Sequence, residues 1–344
     1  MSTEQRKRDH LRICLDNDVE SQKKCFEDVI LIHNSLPELS LSEIDTTTTF
    51  LEKKFSLPLT IASMTGGTLE AEQINKDLAE VAEKKGIGFS LGSQRAMIEN
   101  PKLKETYYVR DVAPHIFLFS NIGLYQLKEF GTKKIEDALE YVEADALFVH
   151  INPSQELFQK EGDINFNGSL RSLKKLCMEL RCPIIGKEVG FGICKEVALK
   201  LKEAGVKAID VGGFGGTNWI VVDGIRSGNN FSSFVNWGIP TPISILECKV
   251  GLPLIATGGI RSGIDIARSI VLGADMCGMA LPFLRVLKKQ GKKGVEEFID
   301  RIEKELKTAM ILTGSKNIEE LRKAKYILTG EIKDWAEQRK LICR

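Results

Sequence analysis

The 344-residue chain is 43% hydrophobic and 28% charged, enough for one large core and compatible with an α/β barrel of roughly 250 residues plus extensions. Its 48 Lys and Arg balance 47 Asp and Glu, so no overall field favours nucleic acid or an anionic membrane, and any anion site must be a local cluster. The 8 cysteines form no CxxC pair, which argues against zinc and a redox dithiol; with no apolar N-terminal leader and no run near the ~18 residues of a membrane span, the reading is a reduced, cytoplasmic protein with no membrane partner.

From residue 58 on, short apolar β-rich runs alternate with segments of helical period, the pattern of repeated βα units on a parallel sheet. Strands are expected at 57–63, 87–90, 116–120, 146–151, 184–189, 208–212, 254–257 and 276–279. Helices are expected between them, among them 71–85, 194–204 with Gly205 as its C-cap, and 264–272 ending at Gly273. Eight strands favour a closed (β/α)8 TIM barrel over an open doubly wound sheet, as does a first strand that runs into Met64-Thr65-Gly66-Gly67 instead of a GxGxxG turn. One domain over 1–344 follows, with 57–290 as the barrel core, 1–56 as an N-terminal extension and 291–344 as C-terminal helices.

A barrel places its active site at the C-terminal ends of the strands, so the polar residues that follow each apolar run are the candidates. Glycines after strands seven and eight let backbone N–H groups approach an anion, which suggests a phosphate site; a tight βα turn is the plainer explanation of Gly258 and Gly259. Lys187 lies inside an apolar strand, where an inward ammonium needs an anionic partner such as a bound cofactor, unless it points to a solvated rim. Glu156 offers a hard oxygen to Mg2+, or is a surface carboxylate. His150 ends a strand, placed for a phosphate or a proton transfer, or simply packed in the core. The basic run Arg6-Lys7-Arg8-Asp9-His10 could serve a diphosphate, although such terminal runs are usually solvated. The long segment 213–250, with Trp219, Phe231, Phe234 and Trp237, is either a lid or a satellite aromatic cluster.

Taken together, Ala62-Ser63-Met64-Thr65-Gly66-Gly67, Gly92-Ser93-Gln94-Arg95, the stretch 150–156, Lys187-Glu188-Val189-Gly190, Gly215-Gly216-Thr217-Asn218-Trp219, Gly258-Gly259-Ile260-Arg261-Ser262-Gly263, the basic run and Leu312-Thr313-Gly314-Ser315 resemble type 2 isopentenyl-diphosphate isomerases across nearly the whole chain. The resemblance implies an FMN-binding barrel that interconverts isopentenyl and dimethylallyl diphosphate. It also implies reduced FMN as acid/base, Mg2+ on the diphosphate, NADPH as reductant, and a homo-oligomer, tetramer or octamer. By the same resemblance Ala62, Ser63, Met64, Thr65, Gly66, Ser93, Asn121, Lys187 and Thr217 would hold the flavin, with Gly258, Gly259, Ile260, Ala280 and Leu281 around its phosphate. Arg6, Lys7, His10, Ser93, Gln94, Arg95, His150, Asn152 and Gln155 would meet the substrate, and Glu156 the metal. His150, Gln155, Lys187, Trp219 and Asp223 would be catalytic, Asp223 standing where related sequences can carry Glu. Two other readings share the barrel: an FMN-dependent 2-hydroxy-acid oxidoreductase, and a catalytically silent flavin-binding protein.

Overall fold

The computed structural model describes residues 3–23, 25–229 and 232–342; Phe231, named above, and Cys343, one of the eight cysteines, lie outside them. Helix α1 (Thr3–Asp16) opens the chain, followed by strand β1 (Val29–Leu31) and a hairpin of β2 (Thr48–Phe50) and β3 (Lys53–Phe55). The repeating units come next: β4 (Leu59–Ile61) with α2 (Leu69–Lys85), β5 (Gly88–Ser90) with α3 (Arg95–Glu99), β6 (Leu118–Gly123) with α4 (Leu127–Val142), and β7 (Ala146–Ile151) with α5 (Pro153–Phe158) and α6 (Ser169–Glu179). They continue through β8 (Ile184–Glu188) with α7 (Lys195–Ala204), β9 (Ala208–Asp210) with α8 (Trp219–Ser227) and α9 (Thr241–Glu247), β10 (Leu254–Thr257) with α10 (Gly263–Leu272), and β11 (Met276–Met279) with α11 (Leu281–Leu312). Helix α12 (Ile318–Arg322), strand β12 (Tyr326–Leu328) and helix α13 (Gly330–Gln338) follow.

Strands β4 to β11 pair in parallel, and β11 returns to β4 with Cys277 opposite Leu59, so the sheet closes into the expected (β/α)8 barrel. The eight runs read from the sequence are its eight strands. Local chemistry fixes the helix ends. Thr68 accepts the Ala71 N–H at 3.1 Å to start α2, Ser262 accepts that of Asp265 to start α10, and Gly205 ends α7 in the left-handed region. Strand boundaries differ by a few residues. The first strand begins at Leu59, because Leu57 and Pro58 still belong to the approach, and the third runs on to Gly123, which puts Asn121 inside the strand.

Alternation along the strands builds the interior in layers. Phe119, Phe148, Ile185, Ala208 and Ile255 form the apolar floor, and two residues further on the same inward register carries Asn121, His150, Lys187, Asp210 and Thr257. The β2–β3 hairpin plugs this floor from below with Phe50 and Phe55, so part of the N-terminal extension is core, not decoration. Phe119 stacks on Phe148 with ring centroids 4.8 Å apart and meets Phe50 at 6.5 Å.

The C-terminal segment departs from the all-helical expectation. Tyr326–Leu328 is a strand that pairs antiparallel with Val29–Leu31, fastening the two ends of the chain together. Three residues are too few to show a period of two, and the flanking helical pattern masks them. No helix among the described residues is long and apolar enough to cross a membrane. Truncating the fully buried stacked ring, Phe119→Ala, is expected to cost about 3–5 kcal/mol of unfolding free energy by denaturant titration, with the helical circular dichroism intact.

Candidate active site

A cavity of about 1580 Å³, mouth included, opens over the C-terminal ends of the strands. Of the sequence candidates, Arg6, Lys7, His10, Ala62, Ser63, Met64, Thr65, Ser93, Arg95, Asn121, His150, Asn152, Gln155, Glu156, Lys187, Thr217, Trp219, Gly258, Gly259, Ala280 and Leu281 line it. Gly66, Gln94, Ile260 and Asp223 do not. Gly66 packs on the Tyr107 ring, Ile260 is in the core, and Gln94 is buried with its amide engaged by Ser120 and Met97.

One side of the cavity suits a phosphate-bearing cofactor. Gly258 and Gly259 both hold positive φ, +106° and +84°, in a loop pressed against the loop after β9. A methyl group on Gly258 would strike the Gly213 carbonyl, and one on Gly259 that of Gly215, so both positions require glycine. Nearby, α11 begins at Leu281 with Ala280 as N-cap and no side-chain cap, leaving its first N–H groups to be satisfied at the cavity. Across from it, Thr65 Oγ1 is buried without a hydrogen-bond partner, and Asn121 Nδ2 donates to Ser63 Oγ at 2.9 Å. An apolar ring with polar edges fits this wall.

The other side gathers cations with too few carboxylates. Helix α1 lies over the mouth, so the basic run is ordered. Lys7 Nζ donates to the Ser93 carbonyl at 2.7 Å and to the Tyr107 hydroxyl at 2.6 Å, both neutral acceptors. Burial, reinforced by Arg6, lowers the Lys7 ammonium to about 7 in spite of Glu99. Arg6 is also held below its ordinary value, by burial and then by Arg95, against the pull of Glu156.

His150 differs from the expectation of a proton carrier near neutral pH. Burial first, then Lys187, Lys7 and Arg6, push it down to about 3, so it is neutral. Because Asn121 Nδ2 donates to Ser63, Asn121 Oδ1 accepts from His150 Nδ1–H at 2.8 Å, which leaves Nε2 as an acceptor. Lys187, for which a cofactor was the expected counter-ion, has a protein partner instead: Asp210 Oδ2 at 2.8 Å.

Asp223 has a fully buried side chain and binds three groups at once. It accepts from His10 Nε2 at 3.0 Å, Arg226 Nε at 2.9 Å and Gln155 Nε2 at 3.5 Å, tying α1 and α5 to α8. Burial pushes its carboxyl up, but His10 and Arg226 outweigh that and hold it below the usual range. Glu156 accepts from Asn152 Nδ2 and from the Asp163 N–H, both at 2.8 Å, while Asn152 Oδ1 is buried without a partner. Among the described residues no cluster of three or more His, Cys, Asp or Glu could hold a metal by itself. A cation here would have to be shared with a ligand's own oxygens, as Mg2+ commonly is. Trp219 closes the apolar end, edge-on to His10 at 5.2 Å. Phe158, Phe234 and Trp237 form an aromatic chain away from it, which accords with the satellite-cluster alternative for that segment.

Known proteins share both the sequence and the barrel. The chain is 47% identical to the isopentenyl-diphosphate delta-isomerase of Archaeoglobus fulgidus over 98% of its own length and 100% of that protein's. The Pyrococcus furiosus isopentenyl-diphosphate delta-isomerase is 43% identical over 97% and 89%. The chain belongs to the isopentenyl-diphosphate delta-isomerase family. Residues 154–328, which include Gly258, Gly259 and the start of α11, also match the FMN-dependent dehydrogenase family model. A mandelate oxidase structure carrying an FMN monooxide adduct superposes with a TM-score of 0.64 at 18% identity, covering 95% of this chain and 93% of its own. That likeness shows the fold alone, so it lends no weight to a hydroxy-acid oxidoreductase, and the full-length relatives decide for an isomerase.

Sequence reading passed over Gln126, which lines the cavity from the turn after β6, and Asp210, whose signal was a lone carboxylate in an apolar strand. It noted Glu188 without giving it a role. Glu188 Oε2 accepts the N–H groups of Val189, Gly190, Phe191 and Gly192 at 2.6, 2.6, 2.5 and 3.2 Å, holding the loop whose Val189 and Gly190 line the cavity. Burial still pushes this carboxyl up to about 7. A raised carboxyl binds its proton more tightly in the folded chain, so its contribution to stability is full below the unfolded value of 4.5 and is lost as pH rises through about 7. The unfolding free energy of the wild type relative to Glu188→Gln should therefore fall between pH 5 and pH 8 in urea titrations; a constant difference contradicts the assignment.

Proposed function

We propose that this isomerase interconverts isopentenyl and dimethylallyl diphosphate by a 1,3-allylic proton shift, with reduced FMN at the barrel mouth, Mg2+ on the diphosphate and NADPH as the reductant. The observation that carries the reading is Lys7, a half-buried ammonium on neutral acceptors beside Arg6, facing a flavin-type wall in the same cavity. Such a cluster is relieved by a polyanion more than by the single carboxylate of a hydroxy acid.

In this reading Met64, Thr65, Ser93, Asn121 and Thr217 hold the flavin, the unpartnered Thr65 hydroxyl gaining a partner, with the Lys187–Asp210 pair beside it. The backbone of Gly258 and Gly259 and the start of α11 take its phosphate. When bound, reduced FMN supplies a proton donor and acceptor beside the allylic carbons. Arg6, Lys7, His10 and Arg95 bind the diphosphate, and Glu156 with the unpartnered Asn152 Oδ1 suits Mg2+. Neutral His150 presents Nε2 as an acceptor to a protonated or donor group. Trp219 keeps water from the cationic reaction centre. Asp223 does not move the proton; it positions His10 and Gln155.

Protein loaded with FMN and reduced anaerobically should convert isopentenyl to dimethylallyl diphosphate by NMR, while oxidised protein should not. Glu156→Gln should raise the Mg2+ concentration needed for half-maximal turnover by roughly tenfold or more. Turnover without reduction, or an unchanged Mg2+ requirement, would count against the corresponding part.

A further inference from the structure

We propose that Asp210 is a positioning residue that sets the electric field at the flavin by neutralising Lys187, an inference that rests on the FMN placement proposed above. Lys187 on β8 and Asp210 on β9 stand opposite one another in register and meet at 2.8 Å. Both are buried, 7% and 1% exposed. The second Asp210 oxygen is occupied too, accepting from Thr257 Oγ1 and from the Gly212 N–H at 3.1 Å. Lys187 spends its other hydrogens on the Glu188 carbonyl at 3.1 Å and on Thr257 Oγ1 at 3.5 Å.

All three ammonium donors therefore have protein acceptors, and what faces the cavity is a fixed ion pair. Arg6, Lys7, Arg95 and Arg261 line the same cavity, and the ion pair adds to their field the part that a change at Asp210 alters. His150 on β7 is neutral, Glu188 turns its carboxylate onto the loop N–H groups, and β10 contributes only the Thr257 hydroxyl. The field of two opposed charges in contact falls off faster than that of one. Two-electron reduction of bound FMN with uptake of one proton leaves a negative charge on the ring. An uncompensated Lys187 would hold that form more tightly than the oxidised one, and Asp210 offsets this preference.

Asp210→Asn keeps the shape and an amide oxygen for Lys187, removes the negative charge, and puts its NH2 where Oδ1 accepts the Gly212 N–H. In a dithionite potentiometric titration of the FMN-loaded variant, reduced FMN should be favoured over oxidised FMN by about tenfold or more. For a two-electron couple that is a midpoint potential about 30 mV or more higher. Lys187→Met leaves Asp210 without its counter-charge and should move the potential the other way. With FMN bound stoichiometrically, an unchanged or lower potential in Asp210→Asn overturns the proposal. If that variant takes up no flavin, Lys187→Met decides, and an unchanged or higher potential overturns it. Failure of the wild-type protein to bind FMN would instead overturn the placement on which the inference rests.

Discussion

Lys7 brings its ammonium into a position where burial and Arg6 oppose the charge and only a carbonyl and a phenol accept its hydrogens. A cation in that setting gains its counter-charge from whatever the cavity binds, so affinity for an anion is written into the resting protein. The architecture above the sheet serves that arrangement. Helix α1 delivers the cations, α8 anchors it through His10 and Asp223, and α5 presents Glu156 from the facing side.

The carboxylates near the mouth are mostly committed elsewhere, which keeps the cations from being satisfied internally. Asp223 is taken by His10, Arg226 and Gln155; Glu188 by four backbone N–H groups; Asp210 by Lys187 and Thr257. Each of these holds a neighbour in place for the site. Glu156 is the exception, with carboxylate capacity left beside Arg6 and an unpartnered Asn152 oxygen, as a site shared between a metal and a diphosphate requires.

Much of this was legible in the sequence because a barrel puts chemistry at a fixed place along each strand. The apolar runs located eight strands, and the residues just beyond them located most of the cavity lining. What could not be read depended on pairing between distant segments. The hydrophobic pattern shows that Lys187 lies in a buried strand, but not that Asp210 on the next strand falls opposite it. Likewise Phe50 and Phe55 look like the apolar residues of an extension until the hairpin is seen under the barrel floor, and Tyr326–Leu328 is a strand only because Val29–Leu31 lies beside it. Gln94 illustrates the converse: its neighbours Ser93 and Arg95 reach the cavity, while the tight turn into α3 aims it back into the core.

The most direct measurement of the central claim is proton uptake on binding isopentenyl diphosphate, by calorimetry at pH 8 in buffers of different ionisation enthalpy. Lys7, lowered to about 7, is mostly deprotonated at that pH, and a bound diphosphate restores its charge. The account predicts uptake approaching one proton per site, abolished in Lys7→Gln. Binding with no uptake, with proton release, or with an uptake that persists in Lys7→Gln would contradict it.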